Sequence, residues 1–267
     1  MRLKRYKKSL LSTKYRIYFS ILLFVFLFIG IGYSYISTSL SMVGNITVAK
    51  YTVPIIDSYN NRLKNAYLSG TYRGKIKTIT LDDSINIPND AVISWDVSVN
   101  QDGGVIAYLK TNNDDNTMYD LYIEGDGELI ANEDSSLMFA YLINLDSITG
   151  LDILDTSNVT NMSYMFASTG FNSQNFTLDL GYYFDTSNVT DMSYMFDNTG
   201  CNNPVFTLDL GGSFDTNKVN NMKYMFYKTG YSSSVFTLDL GDIFDTSNVI
   251  NMSYMFYNTG ASSQYLP

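Results

Sequence analysis

The chain has 267 residues, of which 45% are apolar, with a formal net charge of −9, one cysteine and no histidine. This composition is that of a folded protein and excludes a disordered tail. The single Cys201 excludes an intramolecular disulfide, and the lack of histidine removes the commonest general base and zinc ligand.

A basic arm and an apolar run begin the chain. Seven Lys and Arg residues lie within residues 1–16, and residues 17–36 carry no charge. A helix of that length spans about 30 Å, the thickness of a bilayer's hydrocarbon core. The charge imbalance predicts a cytoplasmic tail (1–16), a transmembrane signal-anchor helix inserted in the lipid bilayer (17–36) and extracellular repeats. A signal peptide cleaved near Ser37, releasing a secreted protein, is the alternative.

The rest of the chain is strongly acidic. The residues after Ile36 hold ten of the 17 Lys and Arg and all 26 Asp and Glu, which leaves them a net charge of −16. Because such a surface repels a phosphate backbone, nucleic acid is not a predicted partner.

Two segments separate the apolar run from the repeats. Residues 37–75 are rich in Ser, Thr, Asn and Tyr, with one short helix possible near 60–68, and are predicted to form a stalk or linker. Residues 76–130 contain three alternating stretches separated by turn signals, at 93–99, 104–110 and 118–124. We therefore expect a small β-rich module there.

The last part of the chain repeats every 30 residues. We divide it into a divergent cap (131–154), the repeats 155–184, 185–214 and 215–244, and a partial repeat at 245–267. The partial repeat stops where the next FTLDL segment is due, so the chain is expected to be an incomplete reading of a longer protein.

Each repeat is predicted to contain one strand. Phe176, Leu178 and Leu180 alternate with polar residues, which is the period of a strand with one buried face.

The other half of each repeat has helical spacing. Its apolar positions are Val159, Met162, Met165 and Phe166; Thr160 is a possible N-cap and Gly170 a possible C-terminal stop. A strand and a short return helix predict an α/β repeat solenoid of leucine-rich-repeat type, with parallel strands and helices on the return side.

The recurring motif DTSNVTNMSYMF, separated by LDL strands, resembles the BspA-like leucine-rich-repeat surface proteins of bacteria. The resemblance covers roughly residues 76–267. It implies a surface location, an α/β solenoid and a role in adhesion or partner binding, and it brings no catalytic residues.

The candidate ligand face follows from the strand alternation. If the leucines point inward, one Thr and one Asp of each strand point outward, in rows about 4.8 Å apart. The predicted ligand face therefore consists of Thr177, Asp179, Thr207, Asp209, Thr237 and Asp239. A solvated sheet surface without a ligand is the alternative.

Three other columns recur. Asp155 and its equivalents are expected to accept backbone N–H groups in Asx turns. The recurring Met and Phe residues are expected to fill the core. Tyr164, Tyr194, Tyr224 and Tyr254 either pack between coils or present aromatic rings to a carbohydrate or a protein.

These features predict a bacterial surface repeat protein that binds a protein or a glycan without catalysis. No catalytic residue, metal ligand or cofactor site is assigned. Two alternatives stay open: a purely structural, self-associating spacer, and a cell-wall hydrolase that depends on carboxylates.

Overall fold

The computed structural model describes residues 56–57 and 70–264. The chain divides into two compact units, Met1–Tyr51 and Thr52–Pro267, and every described residue belongs to the second. The predicted cytoplasmic tail, the transmembrane helix at 17–36 and the possible helix near 60–68 lie outside the described residues.

A five-stranded mixed sheet forms the first half of the described chain. Its elements are α1 (Gly70–Arg73), β1 (Ile76–Asp82), β2 (Ile93–Asp96), β3 (Val105–Thr111), β4 (Tyr119–Gly125) and β6 (Ser147–Thr149). The strand order is β2–β3–β4–β1–β6, in which β1 is parallel to β4 and to β6 and the other pairs are antiparallel. The strands predicted at 93–99, 104–110 and 118–124 are confirmed as β2, β3 and β4.

The repeats follow through a short connection. β5 (Leu129–Ile130) pairs in parallel with β7 (Leu154–Asp155), and a single 3₁₀ turn at Leu151–Ile153 precedes β7. From residue 133 onward the chain winds into successive coils, one per repeat, which we call the repeat stack.

The predicted FTLDL strands are confirmed as a three-stranded parallel sheet. β8 (Leu178–Asp179), β9 (Val205–Asp209) and β10 (Val235–Asp239) lie side by side in the order β10–β9–β8. The pairing is in register, with Leu178 opposite Leu208 and Leu208 opposite Leu238. Equivalent residues of successive repeats therefore stand next to each other.

The predicted return helix is absent. Alternate backbone N–H groups of this segment donate to the next coil: Met162 to the Asp191 carbonyl oxygen at 3.0 Å, Tyr164 to Ser193 at 2.9 Å and Phe166 to Met195 at 2.9 Å. The intervening residues close turns on their own segment. These N–H groups are thus unavailable for the bonds of an α-helix.

The error has a physical source. A series of turns in steps of three residues buries the same positions as a helix, and Val159, Met162, Met165 and Phe166 are indeed all fully buried. Thr160 is not an N-cap, because its hydroxyl donates to the Glu133 carbonyl oxygen, 3.4 Å away on the preceding coil. Periodicity reports which side chains are buried and not where the backbone bonds go.

The predicted fold class, an α/β solenoid with return helices, is therefore wrong. The described residues form a mostly β structure with small mixed and parallel sheets and almost no helix. In residues 56–57 and 70–264, no helix is long and apolar enough to cross a membrane. The described residues thus give no support to the predicted single-pass membrane location, and its segment 17–36 lies outside them.

Aromatic stacks run through the core of the repeat stack, as predicted for the recurring Met and Phe residues. One Phe per coil stacks on its equivalents at ring-centre distances of 5.2–5.6 Å, in the column Phe139, Phe166, Phe196, Phe226 and Phe256. A second column joins Phe176, Phe206 and Phe236 at 5.7 and 5.8 Å. Met162, Met192 and Met222 are fully buried beside them.

Candidate functional site

The six residues of the predicted ligand face lie together on the sheet of β8, β9 and β10. Phe206, Leu208 and Leu210 are buried, whereas Thr207 and Asp209 between them are partly exposed. Thr177, Asp179, Thr237 and Asp239 are exposed. The alternation therefore has the predicted register, with the hydroxyl and carboxylate rows facing outward.

The carboxylates of this face are already used by the backbone. Asp179 accepts a hydrogen bond from the Gly181 N–H at 2.8 Å, and Asp209 and Asp239 accept from Gly211 and Gly241 at 2.9 Å. All three glycines have positive φ. Each aspartate thus closes the turn that ends its strand, which gives the column a structural role.

The second aspartate column has the predicted Asx turns. Asp155 accepts from the Ser157 N–H at 2.9 Å, and Asp185 from the Ser187 N–H at 2.8 Å. The equivalents Asp215 and Asp245 make the same contact at 2.8 Å. Both aspartate columns therefore fold the chain locally.

The four recurring tyrosines form a stacked column, which we call the tyrosine ladder: Tyr164, Tyr194, Tyr224 and Tyr254. Their ring centres are 4.4, 4.8 and 5.0 Å apart, with interplanar angles of 6°, 8° and 14°. The first three rings are half-buried and Tyr254 is 57% exposed. Because the faces pack on each other, the ladder presents ring edges and hydroxyl groups.

The backbone holds each tyrosine in an unusual conformation. All four have φ of 58° or 59°, a region that residues other than Gly, Asn and Asp rarely adopt. Each tyrosine carbonyl accepts a hydrogen bond from the backbone N–H group three residues later in the chain. The N–H groups of Tyr164, Tyr194 and Tyr224 donate to carbonyl oxygens of the next coil. The bonding within and between coils enforces the conformation.

The hydroxyl group of Tyr164, the first residue of the ladder, is neutral at physiological pH. Burial, together with neighbouring Tyr194, raises the pKa of Tyr164 to about 12. The Tyr164 hydroxyl therefore acts as a hydrogen-bond donor and acceptor and not as a base.

Further aromatic and basic side chains enlarge the ladder in its last two coils. Tyr227 stacks on Tyr257 at 5.5 Å, and each meets its ladder neighbour edge to face, Tyr224 at 5.1 Å and Tyr254 at 5.6 Å. The Lys223 ammonium lies 5.2 Å from the centre of the Tyr224 ring. The Lys228 ammonium lies 5.3 Å from the centre of the Tyr227 ring.

Asp197 occupies the position that Tyr227 holds in the next coil. Burial raises the pKa of its carboxyl to about 6, against the opposing effects of the Asn198 amide, which donates to it at 2.8 Å, and of the Lys228 charge. Burial also raises the pKa of the nearby Cys201 thiol.

A ladder of Asn and Asp was missed by sequence reasoning. The residues 134, 161, 191, 221 and 251 pair in parallel from coil to coil. Asn161 donates its amide to Asp134 at 3.0 Å, and Asn221 donates to Asp191 at 3.2 Å. The signal was the presence of Asp or Asn at one repeat position, which lets an amide bond a carboxylate. In the part of the chain that the structure describes, no group of three or more Cys, Asp or Glu side chains is placed to hold a metal ion.

The comparisons with known proteins give one match. The model of the DUF285 family, described as a Mycoplasma protein of unknown function, matches residues 133–266, which is half of the chain. No curated protein and no solved structure matches. The matched residues are the repeat stack that carries both the sheet face and the tyrosine ladder, and the chain belongs to the DUF285 family.

Proposed function

We propose that this chain is a non-catalytic binding protein whose repeat stack displays the tyrosine ladder to a protein or a glycan. The observation that carries the proposal is the recurrence of a partly exposed tyrosine at positive φ in all four repeats, whereas the cap has Leu137 at this position. Rings and hydroxyls in a regular row offer an extended contact surface, and tyrosine supplies large contact area at low entropic cost.

Stability by itself does not account for tyrosine at this position. A left-handed conformation costs an L-residue about 1–2 kcal/mol, and one ring stack contributes about 0.5–1.5 kcal/mol, so the two effects largely offset each other. Asn or Gly would avoid the strain. A second position with positive φ in the same segment varies among Ser168, Asn198, Lys228 and Asn258, which shows how freely such turns accept other residues.

The sheet face is the weaker candidate, because one oxygen of each aspartate closes a turn. The same contacts weigh against a carboxylate-dependent hydrolase. The resemblance of the repeat motif to the BspA-like proteins, for which adhesion or partner binding is inferred, supports the binding proposal.

The test is binding of the full chain to a glycan array and to a panel of purified proteins. The double variant Y194N/Y224N removes the two central rings and keeps residues that tolerate positive φ. The matched control is Y182S/Y183S, because these tyrosines are 69% and 68% exposed and lie outside the ladder.

The proposal predicts at least a tenfold loss of affinity for the best ligand in Y194N/Y224N and none in the control, with the circular dichroism spectrum preserved. Equal loss in both variants, or no effect in either, would overturn it. A full chain that binds nothing on either array would favour the structural spacer.

A further inference from the structure

The lysines of the repeat stack are concentrated in one repeat. Between residues 133 and 264 the sequence has three Lys and no Arg, and all three lie in the third repeat: Lys218, Lys223 and Lys228. The chain after Ile36 is otherwise strongly acidic. The third repeat therefore carries a local basic patch on an acidic body.

Two of these lysines lie against the tyrosines. The Lys223 ammonium is 5.2 Å from the Tyr224 ring centre and 6.0 Å from that of Tyr194. The Lys228 ammonium is 5.3 Å from the Tyr227 ring centre and 5.8 Å from that of Tyr231. The electrostatic attraction between an ammonium group and a ring face holds the charges beside the rings.

Neither ammonium is neutralised by a carboxylate within the described residues. The salt bridges seen among the described residues include Lys77–Asp146 and Lys110–Asp90, both in or beside the five-stranded sheet. Lys218 differs, because its ammonium donates to the Asn188 side chain at 2.6 Å. Asp197 is an acidic neighbour of Lys228, but no salt bridge joins the two among the described residues, and its carboxyl group accepts from the Asn198 amide at 2.8 Å. Lys223 and Lys228 thus keep their capacity to bind an anion.

We propose that Lys223 and Lys228, together with Tyr194, Tyr224 and Tyr227, bind an anionic glycan, a sugar polymer that carries sulfate or carboxylate groups. This inference rests on the proposed binding function and names the ligand class for one part of the ladder. The ammonium groups meet the anionic substituents, and the tyrosine hydroxyls exchange hydrogen bonds with the sugar hydroxyls.

The backbone favours a glycan over a peptide strand. A peptide that adds a strand needs unpaired N–H and C=O groups at an exposed edge. Tyr194 donates its N–H to the Lys223 carbonyl at 2.9 Å and accepts from the Asp197 N–H at 3.1 Å, and Tyr224 is bonded in the same way. Recognition here must use side chains, and a regular row of hydroxyl groups suits a polymer with a regular row of hydroxyls.

The experiment is lysine footprinting of the full chain by limited acetylation and mass spectrometry. Three probes are compared at equal mass concentration: dextran sulfate, neutral dextran and poly-L-glutamate. Because each lysine is read separately, binding of the polymers to the basic residues 1–16 does not confuse the result. We expect dextran sulfate to slow acetylation of Lys223 and Lys228 at least fivefold while Lys218 changes less than twofold.

Affinity measurements with variants complete the test. In titrations followed by the acetylation of Lys228, K223Q should weaken dextran sulfate binding by at least threefold relative to the matched control K218Q, because each variant removes one charge from the third repeat and only Lys223 belongs to the proposed site. Unprotected Lys223 and Lys228, or equal affinities of the two variants, would overturn the inference. Equal protection of these lysines by neutral dextran would also overturn the inference. Stronger protection by poly-L-glutamate than by dextran sulfate would overturn it as well and would assign the patch to an acidic peptide. If the inference fails while Y194N/Y224N still loses its array ligand, the proposed function stands and only the ligand class is wrong.

Discussion

In the five-stranded sheet a buried carboxyl group is held by contacts that occur once, whereas in the repeat stack one contact is copied from coil to coil. The buried Glu124 accepts from the Tyr108 hydroxyl at 2.6 Å and from the Asn86 N–H at 2.6 Å. In the repeats, the Thr199 hydroxyl donates to the Phe166 carbonyl at 2.8 Å, and Thr229 repeats this contact one coil later at 2.7 Å. The sheet thus depends on single contacts, and the repeat stack on a contact that has equivalents.

The same difference extends to the surface. A residue of the sheet appears once, but a residue of the repeat appears as a column at the spacing of adjacent strands. Some columns have a structural role, since Asp179 and its equivalents close turns. In the tyrosine ladder, by contrast, the free energy gained from ring stacking only offsets the strain of the backbone at positive φ. Recurrence in the sequence therefore identifies a column, and the contacts made by that column indicate whether its role is structural or functional.

The largest expected effect comes from the glycine under the second phenylalanine column. Gly200 has φ of 58°, and a Cβ there would lie 2.6 Å from the Phe206 ring. Backbone strain and overpacking together should make Gly200→Ala lower the free energy of unfolding by about 2–4 kcal/mol, measured by urea denaturation.

The matched control is Gly127→Ala beside the sheet. Gly127 also has positive φ, but its Cβ would meet open space. Gly127→Ala should therefore lower the free energy of unfolding only by the backbone strain, about 1–2 kcal/mol. Equal losses in the two variants would show that the close packing of the coil on Phe206 is unimportant.

The next effect compares one unique contact with one repeated contact. Tyr108→Phe leaves the buried Glu124 without its hydroxyl donor and should cost about 1.5–3 kcal/mol, since the acceptor is a carboxyl group. Thr199→Val should cost less than about 1 kcal/mol, because the Phe166 carbonyl still accepts from the Thr169 N–H at 3.1 Å. Urea denaturation of both variants decides the order, and a reversed order would contradict the comparison.

Asp197 should make the stability of the repeat stack depend on pH. Its carboxyl has a pKa raised from 3.8 to about 6, so the folded chain binds a proton more tightly than the unfolded chain. Its contribution to stability is therefore favourable at low pH and is lost as the pH rises from about 4 to above 6.

Asp197→Asn removes this dependence. The variant should be more stable than the natural chain by about 1 kcal/mol at pH 8, a value lowered for the partial solvent screening of this group, and equal to it near pH 4. Urea denaturation at the two pH values measures the difference. A variant that is less stable at pH 8 would mean that the Lys228 charge outweighs burial.

The smallest effect concerns the sheet face. Replacing Asp179, Asp209 and Asp239 by Asn keeps an oxygen that accepts the glycine N–H and removes repulsion between neighbouring strands. The melting temperature should stay unchanged or rise slightly, since like charges opposite each other cost about 0.2–1 kcal/mol per pair. The substitutions Asp→Ala at the same positions are the control and should lower it, because the turn contact is lost.

Much of the local burial followed from the sequence. The alternation in FTLDL placed Phe206 and Leu208 inside and Asp209 outside, and the spacing of Met162, Met165 and Phe166 placed them in the core. The Asx turns of the Asp155 column also followed, since Asp-x-Ser is a local motif. The use of Asp179 to close its turn did not follow, because that depends on the positive φ of Gly181.

The sequence by itself determined the period of the repeats, the register of the strands and the identity of the recurring columns, because these depend on residue type and spacing along one chain. Only the tertiary structure decided that the return segment is a series of turns, since the Met162 and Tyr164 N–H groups bond to the next coil and not to their own. It also decided that the tyrosines stand at positive φ with stacked rings, and that Lys223 and Lys228 meet them. Those arrangements depend on contacts between residues about 30 positions apart, which no local pattern encodes.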